Sequence, residues 1–382
     1  MEYRRMGTTD MMAGVIGIGS EGFVHLEDRE ALNLISYVLD RGVNYIDIYN
    51  PQPNVRINIG KGVLGRRDKV YIQAHLGTCW DNGQYRRTRD VNETKNSFEE
   101  MMKLMQTDYM DVGMFHYVDN DTDFDTVFDG GLIEYALKLK KEGTIRYIGL
   151  SSHNPRVARR AVEKKLVDVV LFAINPAYDM QPPDEDLEQL WADENYEKPL
   201  SNIDVEREEF HKLCSTKGVG ISVMKAFGGG DLLSSSLSPF GVAMTPAQYT
   251  HYALSRPGVG TVACGLKSIE EARQALEYFE LSEEEKDFSV VLSKIPKHTF
   301  RGKCMYCGHC APCTVGIDVA SVNKFHDLAA TQDFIPETVR EHYASLEHHA
   351  GECISCGACM ENCPFEVDII SAMKKAKEMF SY

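Results

Sequence analysis

Eight of the eleven cysteines lie beyond residue 300, in two groups of four. Cys353, Cys356, Cys359 and Cys363, with Pro364 next, spell C-x2-C-x2-C-x3-C-P. That run holds 4Fe-4S clusters in bacterial-type ferredoxins. Cys304, Cys307, Cys310 and Cys313 repeat the two-residue spacer, which lets successive thiolates curl round one cuboidal cluster. The fourth cysteine of such a run often reaches a neighbouring cluster, so crossed ligand sets are expected. Cys304, Cys307 and Cys310 would share a cluster with Cys363, and Cys353, Cys356 and Cys359 with Cys313. Zinc needs only two C-x2-C pairs per site, which leaves triple runs ending in Cys-Pro unexplained. A disulfide framework suits short secreted chains. This chain has 382 residues and begins Met1-Glu2-Tyr3-Arg4-Arg5 without an apolar signal core.

Composition bounds the rest. A formal net charge of −16 argues against generic nucleic-acid binding and against an anionic membrane surface. No apolar run is long enough to span a bilayer. Outside the two groups stand only Cys79, Cys214 and Cys264, and a reducing, cytoplasmic setting is expected. With 43% hydrophobic residues the chain can bury a large core.

The elements that must carry this chemistry alternate regularly. Strand-like runs at 15–19, 44–47, 70–74, 110–115, 145–150, 167–172, 220–224 and 259–263 are each followed by a helix-like stretch, the last at 269–279. Eight strand–helix units imply a parallel sheet closed as a (β/α)8 TIM barrel. The expected architecture is α/β: such a barrel over residues 1–285, followed by a small α-helical dicluster ferredoxin domain over 286–382. The segment 287–296 reads as the linker. Gly17-Ile18-Gly19-Ser20-Glu21-Gly22 matches the dinucleotide fingerprint by letter, but no clear helix follows it, as that motif requires. Two polar stretches interrupt the alternation. Residues 78–90 hold Trp80, Tyr85, Arg86, Arg87 and Arg89, and residues 175–204 form an acidic insertion. In a barrel both lie on the C-terminal face, where active sites form. The arginines suit either an anionic substrate or the acidic insertion.

The barrel portion resembles the aldo-keto reductase family, in the branch that carries a C-terminal 4Fe-4S domain. The resemblance runs from Met1 to about Ser282. It rests on Tyr3-Arg4-Arg5-Met6-Gly7-Thr8-Thr9 as an opening hairpin, Asn44-Tyr45-Ile46-Asp47 as strand two, Asp108 to His116 as strand four, Ile145 to Ser152 as strand five, and Met224 to Gly230 as strand seven. The family implies a tyrosine that protonates a carbonyl oxygen, a lysine and an aspartate that tune it, a histidine that orients the substrate, and NADPH as hydride source. Asp47 and His116 match the aspartate and histidine. The tyrosine position is Gln52 and the lysine position is His75. A glutamine amide does not act as a general acid, so His75 is the first candidate donor and Tyr49 the second. His153 and His25 are further imidazoles expected on the same face.

The resemblance further implies that Ser151, Ser152 and Asn175 lie by the nicotinamide, with Met224 and Lys225 nearby. Leu171 stands where a glutamine is expected. Gly265-Leu266-Lys267-Ser268 would hold the adenosine phosphate of NADP(H), with Ser268 as a helix cap. The expected protein is an iron–sulfur oxidoreductase, NADP(H)-linked, with a small-molecule substrate and a protein electron carrier. The alternatives are a non-redox acid–base enzyme catalysing elimination or isomerisation, and an electron-transfer or sensor protein with a vestigial barrel.

Overall fold

The computed structural model describes residues 1–185, 195–196, 200–295, 300–332 and 334–381. Most of the acidic insertion's middle and the end of the expected linker, Pro296, lie outside the described residues. Strands β1 (Tyr3–Arg5) and β2 (Met12–Gly14) pair as an antiparallel hairpin. Eight parallel strands then close a barrel. They are β3 (Ile16–Gly19), β4 (Tyr45–Ile48), β5 (Tyr71–Leu76), β8 (Met110–Phe115), β9 (Ile145–Ser152), β10 (Val169–Ala173), β11 (Gly220–Met224) and β12 (Val259–Gly265), and β12 pairs back onto β3. The expected fold class holds.

The strands obey the period of two that a barrel demands. On β4, Ile46 and Ile48 face the helices; on β5, Ile72, Ala74 and Leu76 do the same. The alternate residues point into the lumen, where Tyr45, Val112, Met114, Val169 and Leu171 pack on Met6, Met11 and Ala13 of the opening hairpin. That apolar plug fills the N-terminal half of the lumen. It leaves the polar lumen positions, including Asp47 and His75, toward the C-terminal ends.

The polar stretch after β5 is not a loop. β6 (Thr78–Asp81) and β7 (Gln84–Arg87) form an antiparallel hairpin with Trp80 opposite Tyr85. Its turn is Asn82-Gly83, with φ of 49° and 80°, the left-handed pair that a type I′ hairpin turn requires. The helix Val91–Met105 follows, started by the Asp90 carboxylate accepting from the Glu93 amide at 2.8 Å. It buries Phe98, Met101 and Met105 against the barrel.

The fingerprint-like glycines serve packing. Ser20–His25 is a 3-10 helix, and a Cβ at Gly22 would lie 2.0 Å from the Leu266 carbonyl oxygen. The glycine lets the segment after β3 lie on the one after β12.

The segment after residue 285 is more than a tether. Ser289–Leu292 is a helical turn, and Phe288, Leu292 and Ile295 are buried. Phe288 meets Tyr252 edge to face at 5.2 Å. One hydrophobic cluster runs unbroken from the barrel through these residues to Met305, Cys310 and Ile317. The C-terminal helices Val319–Ala330, Glu337–Ala344 and Ile369–Phe380 pack together. They seat against the helix Val205–Lys217, with Gln332 Nε2 donating to Thr216 Oγ1 at 3.1 Å. Arg256 donates to the Met305 carbonyl, and Lys303 pairs with Glu208. Because Phe288 joins the two parts, Phe288→Ala is expected to destabilise the whole chain by about 3–5 kcal/mol. Anaerobic urea unfolding followed by circular dichroism should show one transition moved to lower denaturant.

Candidate active site and cysteine cavities

Residues of β4, β5 and β11, and His116 just after β8, form a continuous chain of hydrogen bonds. On the floor, Tyr45 of β4 and Ser222 of β11 donate to the Gln73 side-chain oxygen, at 2.7 and 3.0 Å. Those two donors orient the amide, so Gln73 Nε2 donates to Asp47 Oδ1 at 2.6 Å. Two residues further along β5, His75 Nε2 meets the same oxygen at 2.9 Å. His75 Nδ1 then meets His116 Nδ1 at 2.7 Å. The far nitrogen, His116 Nε2, meets the Tyr85 hydroxyl at 2.7 Å. Asp47, His75 and His116, expected at the barrel mouth, are brought together there.

Both ring nitrogens of His75 are engaged, so none is left to face a substrate directly. Tyr49 is a wall rather than a link. Its ring stacks parallel to His116 at 5.9 Å, and burial first, then the Glu21 carboxylate, pushes its phenol well above the ordinary range. His153 is held by Asp119, with Nδ1 to Oδ2 at 2.8 Å, and His25 is exposed. Neither joins the chain.

Tyr85 is the residue that reading the sequence missed. Asn82-Gly83 between two β-prone runs is a strong local hairpin signal, and it would have placed Tyr85 on a strand. The arginines beside it pair with carboxylates and carbonyls of neighbouring elements. Arg86 makes a two-pronged pair with Glu93 at 3.0 Å on each prong. Arg89 grips Asp123 at 2.6 Å through two nitrogens and donates to the His116 and Tyr117 carbonyls. Arg87 donates to the Tyr117 carbonyl at 3.0 Å. Arg87 and Arg89 tie the hairpin segment to the end of β8, and Arg86 ties it to the helix Val91–Met105.

The eight C-terminal cysteines line two separate cavities. One is lined by Cys304, Cys307, Cys310 and Cys363. The other is lined by Cys313, Cys353, Cys356 and Cys359. These are the crossed sets that the spacing suggests. Among the described residues, no three His, Cys, Asp or Glu side chains converge as single-ion ligands. Thiols spread round a cavity suit a cluster with several metal corners.

A model of the aldo/keto reductase family matches residues 11–243, and a 4Fe-4S binding domain model matches residues 346–367. The chain belongs to the aldo/keto reductase family. It is 27% identical over 187 residues to the uncharacterized oxidoreductase YqkF of Bacillus subtilis, covering 48% of this chain and 58% of that protein. It is 24% identical over 236 residues to probable aldo-keto reductase 1 of Glycine max, 59% of each chain. These matches span under two thirds of either relative's own length. Among solved structures, the holo form of aldo-keto reductase AKR11C1 from Bacillus halodurans aligns with a TM-score of 0.59 at 22% identity, over 75% of this chain and 94% of that one. A putative aldo-keto reductase from Pseudomonas aeruginosa aligns with a TM-score of 0.55 at 20% identity, over 73% and 95%. Those likenesses concern the fold.

In this aldo/keto reductase the residues expected by the nicotinamide also make local hydrogen bonds. The Ser152 hydroxyl donates to Asp119 Oδ1 at 2.8 Å. The Asn175 amide donates to the Lys225 carbonyl at 2.8 Å, and its oxygen caps the Tyr178 amide. Both side chains thus help to hold the fold, with the second Asn175 N–H left over. Ser151 lies beside them, buried, and Met224 and Lys225 end β11. Ser268 does cap the helix Ile269–Leu276, accepting from the Glu271 amide at 3.1 Å. The Glu271 carboxylate in turn holds the Lys267 amide at 2.7 Å. Backbone room exists nearby, since a Cβ at Gly229, Gly230 or Gly265 would meet nothing within 4 Å. Lys225, Lys267 and this open backbone are the groups present there that could meet phosphate oxygens.

Two outcomes are expected here. Cys363→Ala should damage the centre at Cys304, Cys307 and Cys310, and Cys313→Ala the one at Cys353, Cys356 and Cys359; iron analysis with EPR of each variant would show which signal is lost. The second concerns His116. Burial first, then the His75 ring and Arg89, push its pKa well below the usual 6.5. The unfolded chain takes up this proton as pH falls below about 6.5, and the native chain does not. The stability linked to His116 is therefore complete above that pH and lost as pH falls toward the depressed native value. His116→Gln should flatten the acid limb of stability against pH by up to about 1.4 kcal/mol per pH unit. His211 and His251, also lowered by burial, are common to both proteins and cancel.

Proposed function

We propose that this protein is a cytoplasmic oxidoreductase that interconverts a small alcohol and its carbonyl compound, with NADP(H) as hydride partner and two 4Fe-4S clusters in its C-terminal domain. The supporting observation is the Asp47–His75–His116 chain. It stands where the family implies a tyrosine–lysine pair, and it handles a proton in a pocket where Gln52 offers none. Asp47 holds the His75 ring, His75 holds the His116 ring, and each contact is within hydrogen-bond reach.

Bound along the ends of β11 and β12, NADP(H) would give or take the hydride. Lys225, Lys267 and the open glycine backbone would hold its phosphates, and Ser151 and Met224 would border its nicotinamide. The clusters, held by the two cysteine sets, exchange electrons singly. The cluster domain docks on the helix before β11 and on Arg256, just before β12. In the closed strand order β5 and β8 stand four places round the ring from β11 and β12. The cluster domain therefore docks across the ring from the imidazoles. A protein electron carrier would reach the cysteine cavity whose Cys356 is exposed.

The engaged side chains of Ser152 and Asn175 favour one rival, in which the imidazoles do acid–base chemistry without hydride transfer. An anaerobic NADPH titration separates the two. NADPH gives up its electrons as a hydride, so binding read by NADPH fluorescence, with no direct bleaching of the visible iron–sulfur absorption, is expected. Clusters that dithionite reduces while NADPH fails to bind would favour the acid–base reading. His75→Ala is expected to cut turnover by about 10²-fold or more while leaving NADPH affinity unchanged, as the same titration would show.

A further inference from the structure

We propose that Tyr85 is the catalytic group that exchanges a proton with the substrate, and that the chain behind it rests with its protons pointing toward Asp47. This deepens the alcohol–carbonyl reading above and rests on it. Asp47 is 6% exposed, His75 2% and His116 7%, whereas Tyr85 is 42% exposed. Of the chain's members, only Tyr85 is exposed. A substrate there can touch Tyr85 while both imidazoles stay covered.

Polarity follows from donor counting. A carboxylate only accepts, and Gln73 already donates to Asp47 Oδ1. His75 Nε2 must therefore carry a proton. With both rings neutral, His75 Nδ1 accepts from His116 Nδ1–H. His116 Nε2 is then bare and accepts from the Tyr85 hydroxyl. The charged and titratable groups facing His116 are Tyr85, Arg87 and Arg89 of the hairpin segment, His75 of β5, Tyr117 next to His116 in the chain, His153 beyond β9 and Tyr49 beyond β4. The two guanidiniums and the neighbouring imidazoles disfavour a second proton on its ring. The ion-paired hairpin holds the phenol at donor distance without a moving lid.

In this resting form the chain is set to receive a proton. As an alcohol is oxidised, its hydroxyl proton passes to the Tyr85 oxygen while the Tyr85 proton passes to His116 Nε2. His116 Nδ1–H passes to His75, and His75 Nε2–H to Asp47. The alcohol's C–H bond breaks as a hydride leaves for the oxidised nicotinamide cofactor, and the C=O double bond forms. One proton rests on Asp47 and later returns to water. Carbonyl reduction runs the same steps backward, after one proton is loaded.

Nitrogen-15 NMR of the full-length protein with labelled histidine tests the polarity. The expected result is Nδ1–H on His116 with Nε2 bare, and Nε2–H on His75. A proton on His116 Nε2, or a doubly protonated His75, overturns the proposal. Turnover of 4-nitrobenzyl alcohol with NADP+, and of 4-nitrobenzaldehyde with NADPH, tests the role. Tyr85→Phe is expected to lower kcat by about 10²-fold or more, with KM within about threefold. A Phe variant that keeps a tenth of the rate, or a Tyr85→Ala variant that gains turnover as removal of a plug would, overturns it. If wild-type protein turns over neither probe, the alcohol–carbonyl reading fails, and the tautomer measurement still decides the polarity by itself.

Discussion

A carboxylate buried in a barrel mouth must find donors, and the mouth is arranged round that demand. Removing an ion from water costs several kcal/mol unless hydrogen bonds replace the solvent. Asp47 Oδ1 receives the Gln73 amide and the His75 ring. Gln73 can point its amide nitrogen at Asp47 only because Tyr45 and Ser222 supply its oxygen. The orientation of each group thus depends on the one below it, from the lumen floor up to His116. With Gln52 and His75 in place of the expected tyrosine and lysine, Asp47 is left without a lysine beside it. The imidazole pair then carries its influence outward to the mouth.

The end of that line belongs to a different element. Exposed ion pairs add little singly, but the hairpin's clamps are two-pronged, and Arg89–Asp123 is half shielded, with side chains 16% and 11% exposed. They fix a surface strand against the end of β8 more firmly than its own two-stranded ladder would. The I′ turn sets the register, and the register puts Tyr85 opposite Trp80. Tyr85 lies edge-on to His116 with ring centres 5.8 Å apart.

The C-terminal domain answers to a second constraint. Four cysteines round each cavity must come from two separated runs, so the chain between Cys313 and Cys353 has to fold back. The helices Val319–Ala330 and Glu337–Ala344 make that return, and their apolar faces join the core through Phe288 and Leu292. Barrel and cluster domain therefore share one core, and the clusters' side of the barrel is set by that shared packing.

The amino-acid sequence by itself determined whatever depends on short spacing. The cysteine runs announced clusters, because ligand spacing is local. The alternation of eight strands and helices announced the barrel, because period and turn chemistry are local too. Asp47, His75 and His116 could be placed at strand ends, and the missing tyrosine and lysine could be named. The Asn82-Gly83 turn was legible as well, although residues 78–90 read as a polar interruption. Only the tertiary structure decided which groups touch. His75 meets His116 across 41 positions of chain, and Tyr85 meets it across 31. Those contacts exist because β5 lies beside β8 and because the hairpin between them folds over their ends. The engagement of Ser152 and Asn175 in local bonds, and the seat of the cluster domain opposite the imidazoles, have the same origin. Closing the sheet into a ring sets distances that no spacing along the chain encodes.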